Sequence, residues 1–239
     1  MLSQQRNNEV SMALLDDMTS FNTALWSLVR ASTGTATVAS KGGGWLSIAT
    51  AATANDYTVI ATAPIVEWNP GKPVFFEARI QCTEVSAADL VVGLIDTTTS
   101  GILDNTGTPP ATFHGAVFYR PAGSAIWIFR ASSGSTALPD GTMAHTLNQG
   151  TPAFASGTPI VLGMSWDPGS GVNPGQGSPG RVVPWANGLA IRNTPGSDNV
   201  SIPIPVGGVA PMMLVAGVRA GSGSAEALLV DYLGYDLVR

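Results

Sequence analysis

Apolar and polar side chains alternate along residues 73–82 with the period of an extended strand. Phe76, Ala78, Ile80 and Cys82 fall on one face, while Glu77, Arg79 and Gln81 fall on the other with Phe75. After a polar break over residues 83–89, the run Leu90-Val-Val-Gly-Leu-Ile95 is apolar on both faces, the pattern of a strand covered on both sides. The break can turn the chain back. The two runs are therefore expected to pair as long antiparallel strands at the centre of a β-sandwich.

The same texture recurs along the chain. Trp26–Arg30, Gly34–Ser40, Trp45–Thr50 and Tyr57–Thr62 read as strands, with a turn at Gly42-Gly43-Gly44 and another at Asn55-Asp56. Phe113–Tyr119 and Ala125–Arg130 predict a hairpin over residues 121–124, and Thr158–Asp167 a long strand. Thr142–Leu147 reads as a shorter one. Asn187-Gly188 between Arg181–Trp185 and Leu189–Arg192 is the strongest short hairpin signal in the chain. Prolines at alternate positions make residues 200–206 an edge segment or no strand at all. Met212–Arg219 and Leu228–Val238 close the series. Roughly fourteen short strands at this rhythm predict two stacked antiparallel sheets. The expected organisation is an N-terminal arm at 1–20 followed by one all-β domain at 21–239. Within the arm, Glu9–Met18 fits a short helix capped by Asn7 or Asn8, and equally a strand through Leu14-Leu15.

Composition narrows the function. Charged residues make up only 11% of the 239, far below the usual quarter. Such a surface repels its own copies weakly and suits an assembly, and it equally suits an ordinary neutral surface of extracellular type. The net charge is −5, Lys41 and Lys72 are the only lysines, and the arginines are scattered, so no basic patch for nucleic acid is visible. No apolar run reaches transmembrane length, and the first residues lack a secretory pattern. Synthesis in a cytoplasm and no membrane partner are the expectations. Cys82, the only cysteine, reads as a small buried apolar residue.

Candidate chemistry is sparse. His114 and His145 are the only histidines, and neither stands near a nucleophile elbow or a zinc-ligand spacing. Glycoside hydrolysis needs two carboxylates about 5–9 Å apart. Glu226, Asp231 and Asp236 miss the i, i+2 spacing that would put them on one strand face, and Glu77 stands alone. Asp96, Asp104 and Asn105, in the long loop after residue 95, offer oxygen ligands of the kind calcium takes, although Asp and Asn are also ordinary turn residues there. Of the six tryptophans, Trp68 and Trp185 lie nearest to loops and are the candidates for stacking on a sugar ring, against the usual role of such residues in the core. No catalytic set and no cofactor are expected.

Several stretches resemble a known family. Asp16–Asn22 up to Trp26, Gly42–Thr50, Asn55-Asp56-Tyr57, Phe76–Ile80, Val92–Asp96, Ala186-Asn187-Gly188 and Leu229–Leu233 are similar to phage virion proteins with a concanavalin A-like (laminin G-like) jelly roll. The resemblance covers about residues 14–239 and implies a two-sheet jelly-roll sandwich. The Glu-x-Asp-x-x-Glu strand of the family's hydrolases is missing, which argues against an enzyme. The implied role is decoration or cementing of a phage head. The partner would be the major capsid protein on the outer shell, and the protein would act as a homo-oligomer, by analogy a trimer. A carbohydrate-binding module of a tail or head fibre is the alternative.

Overall fold

The structure is a computed structural model. It describes residues 12–67, 73–84, 86–97, 102–110, 113–124, 126–133, 142–146, 155–167, 180–191, 202–204 and 210–237. Sixteen strands lie among them: β1 (Met12–Asp16), β2 (Ser27–Arg30), β3 (Thr35–Val38), β4 (Leu46–Ala49), β5 (Tyr57–Ala61), β6 (Val74–Cys82), β7 (Ala88–Ile95) and β8 (His114–Arg120) in the first half. The second half adds β9 (Ile128–Ser133), β10 (Thr142–Thr146), β11 (Ile160–Asp167), β12 (Gly180–Ala186), β13 (Leu189–Ala190), β14 (Ile202–Ile204), β15 (Met213–Ala220) and β16 (Ala227–Leu237).

They form two antiparallel sheets. The nine-stranded sheet runs β13-β12-β11-β6-β16-β4-β3, with β1 beside β16 and β14 beside β12. The seven-stranded sheet runs β10-β9-β8-β7-β15-β5-β2. The inward faces of the two sheets share one core. Phe76, Ala78, Ile80 and Cys82 of β6 meet Leu90, Val92 and Leu94 of β7, together with Trp26, Phe118, Phe129 and Trp166, all buried. Phe118 and Phe129, paired across the β8–β9 hairpin, meet at a tilt of 51° with centroids 4.8 Å apart. Each fully buried aliphatic or aromatic side chain contributes about 1.5–3 kcal/mol.

The β6–β7 pairing expected from the sequence is not made. β6 lies between β11 and β16, and β7 between β8 and β15, so the polar break carries the chain from one sheet to the other. The two strands are central to their own sheets and face each other across the core. Alternation fixes which way a side chain points and leaves the partner strand open. The Asn55-Asp56 turn makes the same kind of crossing, from β4 to β5.

Two other expectations hold. β8 and β9 pair as a hairpin. Asn187 (φ 49°) and Gly188 (φ 79°) both adopt the left-handed backbone that a two-residue hairpin turn requires. At the start of the chain the strand alternative is the one adopted. Residues 12–16, within the segment read as an arm, form β1, paired with β16 from Met12 opposite Leu237 to Asp16 opposite Leu233. Asp16 anchors this strand by accepting from Trp26 Nε1 at 2.7 Å and from the Met18 backbone at 2.9 Å.

Candidate functional site

Strand pairing creates two outward faces of very different character. On the seven-stranded sheet, Val59, Val91, Val117 and Val215 point away from the main core, and all are buried. Their cover includes Ile102, Leu103 and Phe113 from the connection between β7 and β8. This explains why β7 reads as apolar on both faces. The cavity left beneath, lined by Tyr57, Val59, Val91, Ile102 and Leu103, has about 10 Å³, room for roughly one water molecule. A sugar ring cannot enter it.

The cover is fastened by polar contacts. Arg219 pairs with Asp89 at 2.6 Å, both buried, and its other nitrogen donates to Asn55 and, at 3.4 Å, to Asn105. Arg130 donates to the Pro109 carbonyl at 2.9 Å. Gly107 sits so close to Asp89 that a side chain there would overlap the carboxylate. The residues considered as calcium ligands belong to this region. Both oxygens of Asp104 accept bonds from the amides and hydroxyls of Thr106 and Thr108, at 2.7–3.0 Å. Partial burial works upward on this carboxyl, but those donors outweigh it and hold the group well below the usual carboxylate range. Asn105 accepts from Arg219, and Asp96 lies at the end of β7 with its amide bonded to the His114 carbonyl. Among the described residues, no three His, Cys, Asp or Glu side chains come together as a metal set.

The outer face of the nine-stranded sheet carries polar and charged side chains among a few apolar ones. One row across it reads Trp185 (β12), Gly163 (β11), Glu77 (β6), Gly234 (β16) and Leu15 (β1), each opposite the next. The glycines make room. A Cβ on Gly163 would meet Cε2, Cζ2 and Cη2 of Trp185 together, so the indole lies with its face on the glycine. A Cβ on Gly234 would stand 3.1 Å from Leu15 Cδ1, so Leu15 leans over the other side. Glu77 lies between these two side chains and is only 9% exposed, although it is on the outward face of the sheet.

The polar groups around Glu77 are specifically paired. Tyr232 donates its hydroxyl to Glu77 Oε1 at 2.5 Å. Burial and then this bond push the Tyr232 hydroxyl above the ordinary phenol range, so it stays a donor. Arg79 turns from Glu77 to Asp231, at 2.6 Å. Lys41 donates to Gln81 and lies over the buried Trp45 ring, 3.8 Å from its centroid. Asp236 shares the outward face, one diagonal step from Glu77, and its Oδ1 is buried with no partner among the described residues. Diagonal neighbours in such sheets stand about 7–8 Å apart.

The two tryptophans picked out by their closeness to loops therefore fare differently. Trp185 sits half-buried on the outer face of the nine-stranded sheet, whereas Trp68 lies outside the described residues. Trp26, Trp45, Trp127 and Trp166 are buried. The sequence reading missed the meeting of Glu77, Tyr232 and Asp236. It weighed carboxylates along single strands, and this group assembles across β6 and β16, past the register shift at Asp231.

No family model and no curated protein sequence matches this chain. Solved structures do. Peanut lectin is 12% identical, covering 96% of this chain and 98% of that one, with a TM-score of 0.58. The catalytic domain of an endo-1,3-beta-glucanase (laminarinase) from Thermotoga petrophila RKU-1 is 12% identical over 97% and 99%, with a TM-score of 0.62. The carbohydrate recognition domain of Emp46p is 11% identical over 92% and 94%, at 0.55. This likeness corrects one expectation. The chain was read as not an enzyme, partly for want of the family's catalytic strand, but the same architecture serves as a glucanase catalytic domain, so that exclusion does not stand. The likeness also stops short of any virion role: it concerns the two-sheet architecture. Register, layer order and these structural relatives together make the chain a concanavalin A-like jelly-roll sandwich.

Proposed function

We propose that the protein binds carbohydrate on the outer face of the nine-stranded sheet, with Trp185 as the platform. The observation that carries this reading is the indole lying face-down on Gly163. One ring face is spent on the glycine, and the other is left for the apolar face of a sugar. Stacking of this kind combines apolar area with little conformational cost, because the ring is already held. Glu77, Tyr232, Ser165 and the Arg79–Asp231 pair supply donors and acceptors beside it. The lectin and carbohydrate recognition domains that share the sandwich support the reading. A glycan array, followed by titration of the best glycan, tests it. Trp185→Ala is expected to weaken binding about thirtyfold or more, as truncation of an aromatic anchor does. Full retention of affinity in the variant rules the platform out.

A second reading, decoration of the outer surface of a phage capsid through contact with the major capsid protein, is supported by the scarcity of charge and by Leu15, which is 62% exposed on the same face. In it, homo-oligomers would lay this face on the shell. Leu15→Glu is expected to reduce occupancy on isolated capsids, measured by co-sedimentation. Occupancy equal to that of the parent protein removes the reading.

A further inference from the structure

Among the described residues, the acid at the centre of the Trp185 row is paired with no cation. Glu77 is nine-tenths buried, yet among the described residues its only hydrogen-bond donor is the Tyr232 hydroxyl, to Oε1. The nearest arginine on its strand, Arg79, is held by Asp231. Lys41 is engaged by Gln81 and Trp45. Buried carboxylates are ordinarily matched by a cation or by several donors, because desolvation of an unmatched charge is costly. Asp236 repeats the pattern one diagonal step away, with a buried and unpartnered Oδ1. Two carboxylates thus share a face with Trp185, and Glu77 stands two strands along the same row from it. Among the described residues, Arg79 offsets Asp231, and Glu77 and Asp236 leave this part of the face acidic.

We propose that this face selects sugars bearing a free amino group. The inference rests on the carbohydrate reading above and specifies its ligand. The sugar ring stacks on Trp185, and its ammonium enters the slot between Trp185 and Leu15, where it donates to Glu77 Oε2 and toward Asp236. Tyr232 holds the Glu77 carboxylate in place through Oε1. The pairing supplies the charge that Glu77 lacks. A uronic or sialic acid would bring a like charge to the same slot and is excluded by repulsion.

The test is calorimetric titration of the full chain with glucosamine oligosaccharides, their N-acetylated counterparts, oligogalacturonates and a lysine peptide of matched charge. It is run below the pKa of the sugar amine. The free-amine oligosaccharide is expected to bind about tenfold more tightly than the acetylated one, the gain of a charge-assisted over a neutral hydrogen bond, and the galacturonate not at all. Glu77→Gln, isosteric and still able to accept from Tyr232, is expected to erase that tenfold preference, so that the amine and acetyl forms bind alike. Asp236→Asn is the second variant, with a smaller loss of preference, and thermal melting checks that both fold. Equal binding of the amine and acetyl forms overturns the selectivity and leaves the Trp185 platform standing. Binding of neither form overturns both. A lysine peptide that binds as tightly as the amino sugar overturns the proposal in favour of a protein partner.

Discussion

Asp89→Ala is expected to lower the unfolding free energy by about 3–5 kcal/mol, the cost of removing one partner from a buried ion pair. Asp89 and Arg219 are each only 4% exposed and stand 2.6 Å apart. The other Asp89 oxygen accepts from the Ala122 amide at 2.6 Å, so the carboxylate also fixes the turn after β8. Without it, the Arg219 guanidinium is left in the interior with neutral amide partners alone. The loss appears as a shift in the urea midpoint at constant slope. Replacing both residues, Asp89→Leu with Arg219→Met, is expected to recover most of it, because an apolar pair of similar volume carries no stranded charge. A single variant within about 0.5 kcal/mol of the parent would show that the pair does not hold this end of the sandwich.

Gly163→Ala is expected to weaken glycan binding about as much as removal of the Trp185 ring, roughly thirtyfold. The new methyl would occupy the place where the indole now lies. The ring must swing off the sheet, and the proposed stacking surface goes with it. Stability should fall by only about 1–3 kcal/mol, the range for an added methyl in a packed site. The obstructed atoms belong to a side chain at the surface that can move. Binding and melting temperature measured together separate the two effects. A variant that binds normally would mean that the ring position carries no recognition.

Much of the architecture was legible because period-two alternation is a local property. It located β6, β8, β11 and β15 and the Asn187-Gly188 hairpin, where the turn residues also set the backbone. The partner of each strand was not legible. β6 and β7 read as a hairpin, yet the polar residues between them span the core from sheet to sheet. Nor could the sequence show that Ile102, Leu103 and Phe113 fold back over the seven-stranded sheet, since the loop that carries them reads as Asp, Asn, Thr and Pro. Of the site, Trp185 was legible from its place near a turn. Glu77 and Asp236 are 159 residues apart in the chain (236 − 77). Their meeting depends on a register that includes an irregularity at Asp231, which no periodicity encodes.

Because β1 runs antiparallel beside the last strand, Met12 lies directly across from Leu237. A sandwich in which residues 12 and 237 lie side by side can be spliced at those two positions into a surface loop of an unrelated protein without stretching either polypeptide. The same closeness lets a short peptide join residue 237 to residue 12 while new ends are cut elsewhere, so a circularly permuted sandwich should reach the same folded state.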